Sequence, residues 1–268
     1  MHFEKAKAQS WLLGATASLP KIDVIIKGSP ANTLVIGAGV FDIYYGQGWI
    51  PAFKRKTGDL DLSIGLVNDT SGYEVARDAL LESGYRQTDQ ERQYRFYPPI
   101  KIPGALNYVD LLAHPASENI SAKTARGIMG AGPGFSFAAM GFAMQEAYKI
   151  DQRIFCPHPI ALAALKLRAY VDEPIIRLKD LADVVEMVWG LIEKGSHFEI
   201  NDLWGKIKSH EEASFVRNAL HALGRGESAQ WDLAVVRREL DQRNFSDTDI
   251  EQIIPERLLE LVERLPVP

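Results

Sequence analysis

The stretch Asp59-Leu60-Asp61-Leu62-Ser63-Ile64 restricts this chain more than any other. Strict alternation of polar and aliphatic residues fits a β-strand with one polar and one apolar face. Side chains at i and i+2 project to the same side of a strand, so Asp59 and Asp61 stand together while Leu60 and Leu62 enter a core. Such a strand needs a sheet. Thr33-Leu34-Val35-Ile36, Arg92 to Tyr97 and Leu106 to Leu112 read as further strands, the last two separated by Pro98-Pro99 and Pro103-Gly104. Helices are expected at 4–18, at Val40 to Tyr45 and at Gly72 to Leu81, the last with Ser71 as cap, Glu74 as capping-box partner and Gly84 as stop. Ile22 to Ile26 is a short apolar stretch, and Ile128 to Gly141 reads as a glycine-rich connection.

The texture changes at Cys156-Pro157-His158-Pro159. From there the pattern is helix after helix, at 160–171, 176–193, 201–208, 211–223, 229–241 and 248–264. The expected fold class is therefore α+β: a mixed sheet with flanking helices over residues 1–155, followed by an all-α domain over 156–268.

Composition narrows the functional classes. At 46% hydrophobic and 24% charged residues the chain can bury a core, which excludes a disordered or fibrous protein. A net charge of −5 excludes a global positive field that would gather polyanions. The single cysteine, Cys156, cannot form an intrachain disulfide. The charged opening Met1 to Lys7 lacks the apolar run of a signal peptide, and no stretch approaches the ~18–20 apolar residues of a membrane helix. These features predict a cytoplasmic protein with no membrane partner.

Two carboxylates on one strand face repel unless a cation sits between them, and an oxygen-only donor pair suits Mg²⁺ or Mn²⁺, ions that also hold substrate phosphates. Asp110, the one charge in Asn107-Tyr108-Val109-Asp110-Leu111-Leu112, is a third candidate ligand. Three converging aspartates would make a two-metal site for in-line phosphoryl transfer. The plainer alternative puts Asp59 and Asp61 on a solvated face and Asp110 on an edge. Upstream, a strand runs into Gly37-Ala38-Gly39 and then a short helix, leaving backbone N–H groups free to cradle phosphate. Arg55, Lys56 and Thr57, just before the aspartates, offer positive charge and a hydroxyl to the same polyphosphate. A dinucleotide-binding G-x-G-x-x-G is ruled out, because its last position is Asp42 and no βαβ unit follows.

The glycine turn with its short helix, Arg55-x-Thr57-x-Asp59-x-Asp61, and the strand around Asp110 together resemble the nucleotidyltransferase fold of the DNA polymerase β-like superfamily. They are most similar to AbiEii-type nucleotidyltransferases, which include toxins of type IV toxin–antitoxin systems. Leu162-Ala163-Ala164-Leu165-Lys166-Leu167-Arg168-Ala169 and Lys179-Asp180-Leu181-Ala182-Asp183 look like that family's helical lysine and its Lys-Asp-x-x-Asp motif. The resemblance runs from Thr33 to about Trp189 and leaves the last part of the chain without a motif.

The resemblance implies an enzyme that moves an NMP from an NTP donor to an acceptor hydroxyl on tRNA, a protein or a small molecule. It implies Asp59, Asp61 and Asp110 as ligands of Mg²⁺ or Mn²⁺, Lys166 and Asp180 as further catalytic residues, and Gly37, Ala38, Gly39, Arg55, Lys56 and Thr57 as nucleotide contacts. For a toxin it also implies an antitoxin partner. Where the superfamily turn is usually Gly-Gly or Gly-Ser, this chain has Ala38 in second place and no serine hydroxyl. That departure favours the alternative function, a non-catalytic nucleotide sensor or partner-binding protein on the same fold.

Lys166 also has a purely physical reading: a lysine in so apolar a helix needs an anionic partner, and Asp180 or Asp183 would clamp two helices through it. Tyr44, Tyr45, Trp49 and Phe53 form an aromatic group that either packs or stacks on a base. Cys156 and His158 are too few for a metal site. The Lys206/Lys208 and Arg237/Arg238 pairs read as solvated helix faces.

Overall fold

All four residues of Thr33–Ile36 are buried, as expected for a strand covered on both faces. In the computed structural model it is β1 of one six-stranded sheet, with β2 (Asp59–Leu66), β3 (Arg95–Phe96), β4 (Tyr108–Pro115), β5 (Ala147–Asp151) and β6 (Ile154–Pro157), in the order β3-β4-β2-β1-β6-β5. The sheet is mixed: β1 runs antiparallel to β2 and parallel to β6, β2 runs parallel to β4, and the edge strands β3 and β5 are antiparallel to their neighbours. The structure describes residues 3–19, 22, 28, 30–52, 58–87, 92–102, 106–132, 135–195, 210–227 and 229–264. Arg55, Lys56 and Thr57, Phe53, most of the apolar stretch 22–26, the expected helix 201–208 and Lys206/Lys208 lie outside the described residues.

The chain divides into two compact units, one made of Phe3–Gly46 and Lys56–His158, the other of Met1–His2, Gln47–Arg55 and Pro159–Pro268. The sheet unit runs on to His158 because β6 straddles residue 155. In it, α1 (Lys5–Ser18) packs on β5, α3 (Ser71–Glu82) on β2 and α4 (Ala122–Met129) on β4, while α2 (Gly39–Gln47) follows β1. The second unit consists of α6 (Pro159–Asp172), α7 (Leu178–Glu193), α8 (Glu211–Arg225), α9 (Arg237–Asp241) and α10 (Ile254–Arg264), with residues 47–55 joining it. Gly190 of α7 explains that excursion locally: a Cβ there would stand 2.8 Å from Pro51 Cδ and 3.1 Å from Ile50 Cβ.

Several elements differ from the sequence expectation. α4 and α5 (Met140–Gln145) were not expected, and they overlap the expected connection Ile128 to Gly141 only at its two ends: Ser121 accepts a hydrogen bond from the Thr124 N–H, and Gly130, at φ 62°, closes α4 in a left-handed cap. The strand expected at 92–97 shrinks to Arg95–Phe96. The start of α3 is also organised differently. The helix begins at Ser71 itself, whose N–H is taken by Asp69, while the Thr70 hydroxyl donates to Glu74. The run 229–241 breaks into two 3₁₀ turns and α9, because the Asp232 carboxylate caps a fresh start by accepting the Ala234 N–H. At the C-terminal end, a π-helical turn at Asp249–Ile253 precedes α10. Pro255 supplies the reason, since its ring cannot sit against the carbonyl four residues earlier in a regular α-helix.

Candidate metal and phosphate site

Asp59, Asp61, Tyr108, Asp110 and Arg95 share one face of the sheet because the register aligns them. Asp59 pairs with Tyr108 and Asp61 with Asp110 across the parallel β2/β4 ladder, and Arg95 pairs with Asp110 across β3/β4. Leu60 and Leu62 lie beneath in the core, 1% and 0% exposed. The ladder is anchored at this end by Asn107, whose N–H donates to the Gly58 carbonyl at 2.6 Å. One oxygen from each of Asp59, Asp61 and Asp110 lies within 4.8 Å of the others. Ligands on opposite sides of one Mg²⁺ are ~4.2 Å apart, so a slight contraction around a single ion, or a pair of ions, fits this all-oxygen set.

The turn after β1 meets this row directly. Gly37 holds φ +71°, and a Cβ on it would fall 1.8 Å from Asp61 Oδ2. The conformation and the space therefore both demand glycine. Ala38 and Gly39 are buried, and α2 begins at Gly39. Trp11 covers that start: a Cβ on Gly39 would be 3.3 Å from Trp11 Cζ2. Asp42 in the first turn accepts a hydrogen bond from Trp11, and partial burial still pushes its carboxyl above the ordinary value. The α2 N-terminus thus already carries an anionic partner of its own.

Sequence reasoning did not single out Arg95 and Tyr108. Arg95 grips Asp110 with both arms of its fork, Nε to Oδ1 at 2.8 Å and Nη2 to Oδ2 at 2.7 Å. Its guanidinium carbon lies 3.8 Å above the Tyr108 ring, and the Tyr108 hydroxyl donates to Asp59 Oδ2 at 3.1 Å. Burial pushes the Asp110 carboxyl upward, Arg95 pulls it down, and Asp59 adds to the rise. Burial and the Asp59 charge likewise push the Tyr108 phenol up. Tyr108 could have been found, since it stands two residues before Asp110 on the same strand face. Arg95 could not, because antiparallel register leaves no local pattern.

Further along the same face, Ser63 Oγ and His114 Nδ1 are hydrogen-bonded at 2.8 Å, both fully buried. Of the aromatic group, Tyr44 is a core residue whose hydroxyl donates to the Pro157 carbonyl at 2.8 Å, Trp49 is buried, and Tyr45 is exposed.

Lys166, Asp180 and Asp183 come together within the helical unit. Lys166 Nζ reaches Asp180 Oδ1 at 3.0 Å and Asp183 Oδ2 at 2.7 Å, joining α6 to α7. Arg243 extends the cluster, with Nη2 at 2.8 Å from Asp183 Oδ1 and Nη1 at 3.1 Å from Glu186 Oε2, while Arg177 lies 3.5 Å from Asp180 Oδ2. Burial would lower the Lys166 pKa, but Asp183 and Asp180 outweigh it and hold the ammonium above its ordinary value. Arg237 pairs with Asp247 and Glu251.

Among the described residues no helix is long and apolar enough to cross a membrane. No family model, curated protein or solved structure matches this chain.

Proposed function

We propose that this chain is a metal-dependent nucleotidyltransferase of the AbiEii kind, built on a nucleotidyltransferase fold, that transfers an NMP from an NTP to an acceptor hydroxyl. One observation carries the reading: a positive-φ glycine turn is packed against Asp61 in a row of three carboxylates whose oxygens lie within 4.8 Å. The turn that leads into α2 and the row of carboxylate oxygens are thereby held together.

Asp59, Asp61 and Asp110 would hold Mg²⁺ or Mn²⁺, which supplies charge neutralisation to the triphosphate when bound. Gly37 leaves the room in which Asp61 stands. Tyr108 orients Asp59, and Arg95 orients Asp110. As the acceptor hydroxyl gives up its proton to solvent and its oxygen bonds to the α-phosphorus, the bond from that phosphorus to the bridging oxygen breaks and pyrophosphate leaves, so catalysis would be chiefly positioning and electrostatics. The acceptor is tRNA, a protein or a small molecule, in a cytoplasmic setting. The net charge of −5 disfavours a long nucleic acid unless a local basic segment around Lys54, Arg55 and Lys56 receives it. A toxin role requires an antitoxin partner, which the neighbouring reading frame would encode.

A second reading, a non-catalytic nucleotide sensor or partner-binding protein, is favoured by Ala38 in the turn and by the engagement of both Asp110 oxygens with Arg95. The test is a transfer assay with each α-labelled NTP and Mg²⁺ or Mn²⁺, with the protein alone, with total tRNA and with lysate, beside Asp61→Ala. Label entering an acceptor only with the wild type supports transfer. Metal-dependent NTP binding with no label under any condition supports the second reading.

A further inference from the structure

The Arg95–Asp110 pair is more than a strap on an edge strand. Both oxygens of the carboxylate are committed to the guanidinium in a fork-to-fork arrangement, and the two side chains are only 12% and 9% exposed. A cation thus already occupies the third carboxylate of the row, and the Tyr108 hydroxyl donates to Asp59. The same guanidinium rests on the Tyr108 ring. It reaches the row from β3, a two-residue strand at the sheet edge held by β4 alone within the sheet. The planar fork that fits a carboxylate fits a phosphate equally well.

Resting on the nucleotidyltransferase reading, we propose that Arg95 is an exchangeable counter-ion that makes metal binding at this site depend on nucleotide. Without nucleotide, Arg95 saturates Asp110 and leaves Asp59 and Asp61 as the cation ligands. When a nucleoside triphosphate arrives, its phosphate oxygens take over the Arg95 fork, and Asp110 is released to complete the donor set. No covalent bond changes in this exchange, and it is reciprocal: nucleotide tightens metal binding by the same factor that metal tightens nucleotide binding. Arg95 is in this sense a positioning residue that acts through Asp110.

The experiment measures Mn²⁺ affinity by electron paramagnetic resonance on the full chain, with and without a non-hydrolysable α,β-methylene triphosphate, alongside thermal melts. In Arg95→Gln, nucleotide-free Mn²⁺ binding is expected to tighten at least tenfold, and the enhancement by nucleotide to fall by a similar factor. The double variant Arg95→Gln/Asp110→Asn replaces the ion pair with a shorter neutral pair that strands no charge, which keeps the fold measurable. It is expected to bind Mn²⁺ without nucleotide within about twofold of the wild type. A tenfold loss in the double variant, or wild-type affinity in Arg95→Gln, overturns the proposal. Asp59→Asn separates the two levels: if it retains wild-type Mn²⁺ binding, the metal-site reading itself fails.

Discussion

Gly37 and Asp61 occupy mutually exclusive space: a β-carbon on the first would overlap the carboxylate of the second, 1.8 Å from Oδ2. The left-handed backbone at φ +71° adds ~1 kcal/mol for any L side chain. Gly37→Ala is therefore expected to lower the melting temperature by several degrees, at about 2–4 °C per kcal/mol, and to abolish Mn²⁺ binding. The double variant Gly37→Ala/Asp61→Ala should recover part of the lost stability, because the clash is gone and only the backbone strain remains. Strictly additive losses would show that the two residues do not interact.

The carboxylate row predicts an inverse relation between stability and metal. Asp59 and Asp61 project from one strand face toward Asp110, and carboxylates this close repel one another, a cost that a bound cation relieves. Asp61→Asn should therefore melt at the wild-type temperature or above it in EDTA. Mg²⁺ at 100 times its dissociation constant should stabilise the wild type by ~2.7 kcal/mol and leave the variant unmoved. A wild-type melting temperature identical in EDTA and Mg²⁺ counts against the site.

What was legible in the sequence was what is local. Alternation at Asp59 to Ile64 shows a strand and its faces, because strand geometry has period two. Lys166 shows its need for an anionic partner because a lysine among leucines and alanines has nowhere else to discharge its desolvation cost. Contacts made by register stayed hidden. Arg95 meets Asp110 only once β3 folds back on β4, and Gly37 meets Asp61 only once β1 pairs with β2. The β5–β6 hairpin escaped notice because the alternation of Tyr148-Lys149-Ile150-Asp151, half-exposed at the sheet edge, covers only four residues. In α4, Ser121 and Gly130 are good boundary signals, but the glycines that follow Gly130 made the segment from Ile128 on resemble a linker.

Lys166 ties together two carboxylates that are 6% and 0% exposed. Lys166→Met keeps the length of the side chain and removes the charge, leaving Asp180 and Asp183 deprived of their shared cation. A buried pair broken from one side costs ~3–5 kcal/mol. Because Arg243 stays on Asp183 and Arg177 near Asp180, the expected result in urea unfolding is a loss at or below the lower end of that range, larger than the loss in Lys166→Met/Asp180→Asn, where one of the two carboxylates is also neutralised. A single variant as stable as the wild type would show that the cluster carries no strain of burial.

The buried histidines predict an acid-sensitive fold. Burial pushes His114 down to about 4 and His158 down to about 3, from an ordinary 6.5. Both are neutral in the folded chain at pH 7, whereas the unfolded chain binds protons as pH falls through 6.5. Their contribution is therefore fully present above pH 6.5, declines as pH drops toward the folded values, and is constant below them. For His114 the gap between about 4 and 6.5, at ~1.4 kcal/mol per pH unit, amounts to ~3 kcal/mol. Urea midpoints measured from pH 7.5 to pH 4 should show the wild type losing about that much more stability than His114→Gln, which cannot titrate. Ser63, the partner of Nδ1, stays in place in both proteins, so the difference isolates the proton. Parallel curves across the whole range would mean that His114 accepts a proton as readily in the fold as outside it.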